Sequence, residues 1–327
     1  VGKITAQTFI QAHLANASTD MASSPSDQNN GDRKVSMATR VARSGLRRYP
    51  SELTDSILNA ARATSAFALD IPATSPEGLG AAWLGHASVL VRLGGRWILT
   101  DPVFSERIGI KLGPFTFGVG RLAPTVDLLT LPTPDLILIS HAHFDHLDQP
   151  TLAKLAGRET TVITAPGTKR LIPSGFSRVI ELPWERSIRF GGLSIAAMTP
   201  AHWGARTVWD RHRSYNSYVI EHHHGKVLFA GDTAMTSEYE KVRGADLTIF
   251  GIGAYDPWIT NHATPEQAWE MHASAQGRFM LPMHHSTFKL SDEPAHEPMQ
   301  RLMAAAGDAA DRVVGTTLGR FVSIDQR

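Results

Sequence analysis

Ser140-His141-Ala142-His143-Phe144-Asp145-His146-Leu147-Asp148 places four metal-binding side chains, His141, His143, Asp145 and His146, within six positions. The run follows Asp135-Leu136-Ile137-Leu138-Ile139, an apolar segment that reads as a buried strand. Donors at the end of a rigid strand are held in place before an ion arrives. Imidazole and carboxylate together suit zinc, and also iron or manganese. In extended chain, residues two apart point the same way, so His141 and His143 can grip one ion. Asp145 and His146, beyond a turn, can face a second. A solitary histidine would read as a surface residue, but the pattern H-x-H-x-D-H after a strand reads as a two-metal motif.

Two ions need about seven or eight ligand positions, so the rest must come from elsewhere in the chain. Three residues share the same local context. His202 follows a strand expected over 193–198, Asp232 follows one over 226–230, and His284 follows 279–282. Each alone reads as a loop histidine or a turn aspartate. Together, downstream of the first motif, they complete a set of seven, because strand ends on one sheet edge converge on a common cleft.

Residues 89–93 and 96–100, joined by Gly94-Gly95, give a strong hairpin signal. Further strands are expected over 161–164, 215–220 and 246–250. A short helix is expected over 150–156. A helix over 264–275 has Thr264 as N-cap, Pro265 at N1 and Gln267 at N3. Residues 51–67 read as a helix capped by Ser51. Residues 103–134, rich in Gly, Pro and Phe, read as one long shaped loop. His222, His223 and His224 fall on a hairpin tip, where exposure rather than catalysis is expected.

The 327 residues are 42% hydrophobic and 19% charged, ordinary globular composition with material for a large core. A net charge of +1 gives no field for nucleic acid, and no nucleic-acid partner is expected. Cysteine is absent, which excludes disulfides and thiolate metal ligands. No apolar run reaches transmembrane length, and residues 1–20 hold no continuous apolar region of a signal peptide. The expected location is the cytoplasm or the membrane periphery. Arg40, Arg43, Arg47 and Arg48 form either a solvated face or a contact for anionic lipid.

Beyond the metal motif, the chain carries Trp83-Leu84-Gly85-His86-Ala87, Leu99-Thr100-Asp101-Pro102, His202-Trp203-Gly204-Ala205-Arg206-Thr207, Ile252-Gly253-Ala254-Tyr255 and His284-His285-Ser286-Thr287-Phe288. With these segments, from Trp83 to Phe288, it resembles the metallo-β-lactamase fold superfamily. Within that superfamily it is most similar to the N-acyl-phosphatidylethanolamine-hydrolysing phospholipase D branch and its bacterial relatives.

The resemblance implies an α/β fold: a four-layer αβ/βα sandwich with two mixed, mostly antiparallel sheets and metals at one edge. Composition and pattern along the chain, rather than the resemblance, give the expected organisation: a mobile extension over 1–38, a helical segment over 39–75 and a hydrolase domain over 76–327. The resemblance assigns His141, His143 and His202 to one zinc, Asp145, His146 and His284 to a second, and Asp232 to both. His285 stands where the family has a non-ligand. Asp101 matches a carboxylate that orients a ligand histidine. His262 matches a histidine near the substrate, and His86 and Tyr255 are expected to line the site.

The implied activity is that of a dinuclear zinc phosphodiesterase in which a water shared by the metals is the nucleophile. Asp145 would handle its proton, and His262 would serve the leaving oxygen. The expected partner is a small-molecule or lipid phosphodiester, with peripheral membrane contact and homo-oligomer formation both open. A lactone or β-lactam hydrolase, a nuclease and a non-catalytic metal-binding protein are the competing readings. Phe104, Phe115, Phe117, Trp209, Tyr255 and Trp258 read either as an acyl-chain surface or as packing.

Overall fold

The computed structural model describes residues 65–72, 78–113, 115–206, 210 and 212–324. The extension over 1–38, the arginine cluster and nearly all of the segment over 39–75 lie outside the described residues, as does Trp209. In chain order, the first half runs β1 (Ala66–Phe67), β2 (Leu79–Gly85), β3 (Ser88–Leu93), β4 (Arg96–Thr100), β5 (Arg107–Leu112), β6 (Phe115–Gly120), β7 (Thr125–Val126), β8 (Leu136–Ile139), α1 (Gln149–Leu155), β9 (Thr161–Thr164) and β10 (Arg178–Glu181). The second half runs β11 (Ser187–Phe190), β12 (Leu193–Met198), β13 (Ser217–His222), β14 (Gly225–Phe229), β15 (Leu247–Gly251), α2 (Pro265–Ser274), β16 (Phe279–Met283), α3 (Glu297–Ala306) and β17 (Phe321–Ile324).

Two large sheets result, ordered β10-β9-β8-β4-β3-β2-β17 and β11-β12-β13-β14-β15-β16, beside the two-stranded pairs β1-β7 and β5-β6. Both large sheets mix parallel and antiparallel pairs. The β8 sequence Leu-Ile-Leu-Ile shows how they stack. Leu136 and Leu138 point into a core shared with Ile195, Tyr218, Phe229 and Ile249 of the second sheet. Ile137 and Ile139 point the other way, onto Leu147 and Leu152 around α1. A central strand buried on both faces needs such an unbroken apolar run. On the far side of the second sheet, Leu228, Phe250 and Met280 pack against Ala268 and Met271 of α2 and Leu302 of α3. The layers are therefore helix, sheet, sheet, helix. Among the described residues, no helix is long and apolar enough to cross a membrane.

Two expectations need correction. The stretch 103–134 is not one loop, because β5 and β6 pair antiparallel within it and β7 pairs with β1. Its glycines read as loop punctuation, yet Gly109 and Gly118 sit opposite each other where a Cβ would collide with the facing backbone. Glycine here permits the hairpin instead of ending it. The helix expected to reach Phe67 gives way, in its described end, to the extended β1. There Phe67 packs beneath the first sheet, and its carbonyl accepts from Asp127 N–H at 2.8 Å.

The start of α2 follows the residue chemistry closely. Thr264 Oγ1 accepts from Gln267 N–H at 3.3 Å, and Gln267 Oε1 accepts from Thr264 N–H at 3.0 Å. Thr264→Ala removes half of this reciprocal cap, an expected loss of about 1 kcal/mol. A lowered denaturant midpoint with an unchanged slope would show it.

Candidate metal centre

Strand direction explains where the donors gather. In the first sheet, β4 and β8 run parallel, and β2 points the same way because each of β2 and β4 is antiparallel to β3. In the second sheet, β14, β15 and β16 run parallel, and β12 joins them because β13 lies antiparallel between β12 and β14. The C-terminal ends of these strands feed His86, Asp101, His141, His202, Asp232 and His284.

Asp232 Oδ2 is the hub. It lies 3.9 Å from His141 Nε2 and 3.7 Å from His202 Nε2 on one side. On the other it lies 3.0 Å from His146 Nε2 and 3.4 Å from His284 Nε2. His143 Nδ1 joins the first group, 2.7 Å from His141 Nε2 and 3.4 Å from His202 Nε2. Asp145 Oδ2 joins the second, 3.6 Å from His146 Nε2 and 3.3 Å from His284 Nε2. Two donor sets thus meet on one carboxylate oxygen, each with its donor atoms within 4.8 Å of one another.

The far nitrogen of several rings is already occupied. His146 Nδ1–H donates to Asp101 Oδ2 at 2.7 Å, His141 Nδ1 pairs with Ser140 Oγ at 2.9 Å, and His202 Nδ1–H donates to the Asn261 carbonyl at 3.0 Å. Each bond turns Nε2 of its ring inward. Asp101 is in turn fixed by Ser140, whose N–H donates to Oδ1 at 2.7 Å and whose hydroxyl donates to Oδ2 at 2.5 Å. Asp232 Oδ1 is buried without a hydrogen-bond partner, and His146 Nε2 and His284 Nε2 face only the Asp232 and Asp145 carboxylates. Buried polar atoms normally find partners, so an orphaned carboxylate oxygen beside converging imidazoles fits a bound cation. Nitrogen and oxygen donors in this ratio suit zinc, iron or manganese.

The electrostatics fit as well. Burial drives His202 down to about 3, against the pull of Asp232, and lowers His141 well below its usual range, helped by its histidine neighbours. Neutral imidazole is the form that binds metal. Burial alone would lower His284, but the Asp232 and Asp145 carboxylates hold it up to about 9. His146 first, and then His284, keep Asp232 and Asp145 ionised despite their burial. A cation placed here would take over the role that protonated imidazole plays in balancing two buried carboxylates.

The backbone around the donors is strained. Of eight non-glycine residues with left-handed φ among the described residues, His86, Asp101, Ala254, His284 and Ser286 cluster here. Such conformations persist where the surroundings over-determine them, commonly at functional sites. Gly253 is required nearby, since a Cβ there would meet the His284 carbonyl oxygen at 2.3 Å.

His285 turns away from the donors. Its ring stacks on Trp83 at 4.5 Å, and its Nδ1 pairs with Ser286 Oγ. His262 stands at the margin, with Nδ1 3.8 Å from Asp232 Oδ2, and burial lowers it to about 3. Tyr255 is held through its polar end. Its hydroxyl donates to Glu297 Oε1 at 2.7 Å and its ring lies under the Arg301 guanidinium, so its polar end serves α3. Phe104 packs in the outer core of the first sheet, and Trp258 Nε1–H donates to the Leu290 carbonyl. His222, His223 and His224 sit at the tip between β13 and β14, at the opposite sheet end from the donors.

Two supporting residues were given no role from the sequence. Asn261 acts through its carbonyl, which any residue could supply. Arg206, in the sequence only one member of the segment over 202–207, donates to the Ala142 and Leu147 carbonyls at 2.9 and 2.8 Å and covers the Phe144 ring at 4.0 Å, pinning the metal-motif loop from outside.

Residues 96–285, more than half of the chain, match the family model described as the beta-lactamase superfamily domain. The chain belongs to the metallo-β-lactamase superfamily. This superfamily member is a metal-dependent hydrolase, and its buried His and Asp clusters fit a metal site. It is 32% identical over 260 residues to an uncharacterised protein of Mycobacterium tuberculosis, covering 73% of this chain and 69% of the relative. It is 30% identical over 275 residues to N-acyl-phosphatidylethanolamine-hydrolyzing phospholipase D 1 of Caenorhabditis elegans, covering 77% and 75%. Among solved structures it is similar to Igni18, a metallo hydrolase of Ignicoccus hospitalis, with a TM-score of 0.57 and 20% identity over 76% of this chain and 99% of that one. That last likeness speaks for the fold.

Proposed function

We propose that this superfamily member is a dinuclear zinc phosphodiesterase of the N-acyl-phosphatidylethanolamine phospholipase D type. The observation that carries the two-metal part is the pair of donor sets meeting at Asp232 Oδ2. The Caenorhabditis elegans relative supports a lipid phosphodiester as substrate. His141, His143 and His202 would hold one ion, Asp145, His146 and His284 the other, and Asp232 both. Bound there, divalent ions supply Lewis-acid polarisation of a phosphoryl oxygen and a nucleophilic water near neutral pH.

The chain's own groups do the rest. Asp101, Ser140 and Asn261 fix the orientations of the His146, His141 and His202 rings before an ion arrives. Asp145, kept ionised by the histidines around it, can accept a proton at Oδ1, the oxygen not turned to the donor set. His262 is neutral at neutral pH and lies beside the shared carboxylate, where a ring N–H can donate to a phosphoryl or leaving oxygen.

The test is a substrate panel given to the metal-loaded protein: a bis-aryl phosphodiester, vesicles containing an N-acyl-phosphatidylethanolamine, an acyl lactone and a chromogenic β-lactam. Both phosphodiesters should turn over. Turnover of the lactone or β-lactam with none of either phosphodiester would overturn the proposal.

A further inference from the structure

Between β2 and β3 the chain turns through Gly85 and His86, both with left-handed φ, at 103° and 51°. Glycine takes such a backbone without strain, whereas an imidazole-bearing residue there costs on the order of 1–3 kcal/mol. The turn is held from three directions. His86 N–H donates to Thr287 Oγ1 at 2.7 Å, and its carbonyl accepts from Trp83 Nε1–H at 2.9 Å and from His284 N–H at 3.0 Å. A turn of the first sheet is thereby stitched to the end of β16 in the second. None of these bonds uses the imidazole, so the backbone contacts do not explain why histidine stands here.

The ring is buried and faces the second donor set. Its Nε2 lies 3.0 Å from Asp145 Oδ2, and its centroid is 4.1 Å from the His284 ring and 5.5 Å from that of His146. Phe288 meets it edge-on at 5.2 Å and closes the other side. Donor atoms of His86, Asp145, His146 and His284 all lie within 4.8 Å of one another.

We propose that His86 is a protein donor at the second metal position, which would then hold His86, Asp145, His146, His284 and the shared Asp232 against only His141, His143, His202 and Asp232 at the first. The two positions are then unequal. Four donors match tetrahedral zinc, whereas five, two of them carboxylates, match an ion of higher coordination number such as manganese or iron. The second position is the one that keeps its ion longer.

The assignment rests on the two-metal reading, and the experiment separates them. Chelator-stripped protein is titrated with Co2+, reading stepwise affinity by competition and the visible d–d spectrum of each equivalent. His86→Gly keeps the left-handed turn without strain and removes the imidazole. His86→Gln keeps a group able to donate to Asp145. Both are first checked for an unchanged fold by circular dichroism. In His86→Gly, one of the two equivalents should weaken by about 10–100-fold or more, with a stronger d–d band as coordination number falls, while the other is unmoved. Unchanged affinities and spectra with two ions bound overturn the assignment alone. Full recovery by His86→Gln also overturns it, leaving His86 as a positioning residue for Asp145. Fewer than two equivalents in the wild type sinks the two-metal reading, and this assignment with it.

Discussion

Alanine at both His141 and His143 is expected to bring hydrolysis to background and to lower bound metal by one equivalent. The two rings converge, with His141 Nε2 and His143 Nδ1 2.7 Å apart, so they serve one point in space. The double substitution leaves only His202 and Asp232 of that set, too few to keep an ion through desalting. Loss of a partner that merely orients a ligand already costs about 10–100-fold in affinity or activity, so loss of two ligands should exceed about 100-fold. Elemental analysis after desalting, turnover of a bis-aryl phosphodiester and circular dichroism of the same preparation check it. Full activity with unchanged metal in a folded double variant would remove these residues from the centre.

Asp101→Asn is the second large expected effect, although Asp101 is not assigned to either ion. Its two oxygens take three donors: the Ser140 N–H, the Ser140 hydroxyl and His146 Nδ1–H. An amide of the same shape offers one oxygen and one NH2, so at least one donor then faces another donor. The left-handed φ of 30° is tolerated by asparagine, which keeps the backbone out of the comparison. Whichever way the amide turns, it faces a donor at Ser140 or at His146, the support that points His146 Nε2 inward is weakened, and affinity at the second position should drop about 10–100-fold with a parallel fall in turnover. Competition against a chromogenic chelator measures it. Wild-type affinity in this variant would mean that His146 is oriented by packing alone.

Much of this architecture could be read from residue order, and the reasons are local. The double-glycine hairpin, the apolar run before the metal motif and the Thr264–Gln267 cap act over a few residues, and each appears where its chemistry places it. The seven candidate donors lie together because each follows an apolar strand, and strands of one direction deliver their ends to one edge. What could not be read depends on contacts across sequence. The β5–β6 hairpin was masked by the very glycines that let its backbones approach. Tyr255 stood in a segment shared with the family, but its orientation is set by Glu297 and Arg301, more than forty positions on. The choice between His284 and His285 is made by Trp83, which offers one of them a stacking surface.

The seam on which the donors sit has a mechanical consequence. His141, His143, Asp145 and His146 are carried by the first sheet, whereas His202, Asp232 and His284 are carried by the second. An ion held by both groups acts as a rivet between two halves that are otherwise joined mainly by apolar packing. Because it grips only the assembled pair, free ion at about a hundredfold excess over Kd adds about 2.7 kcal/mol to the cohesion of the whole sandwich. Scarcity of metal would then loosen the protein as well as silence it, so that supply of the ion governs how much folded enzyme persists.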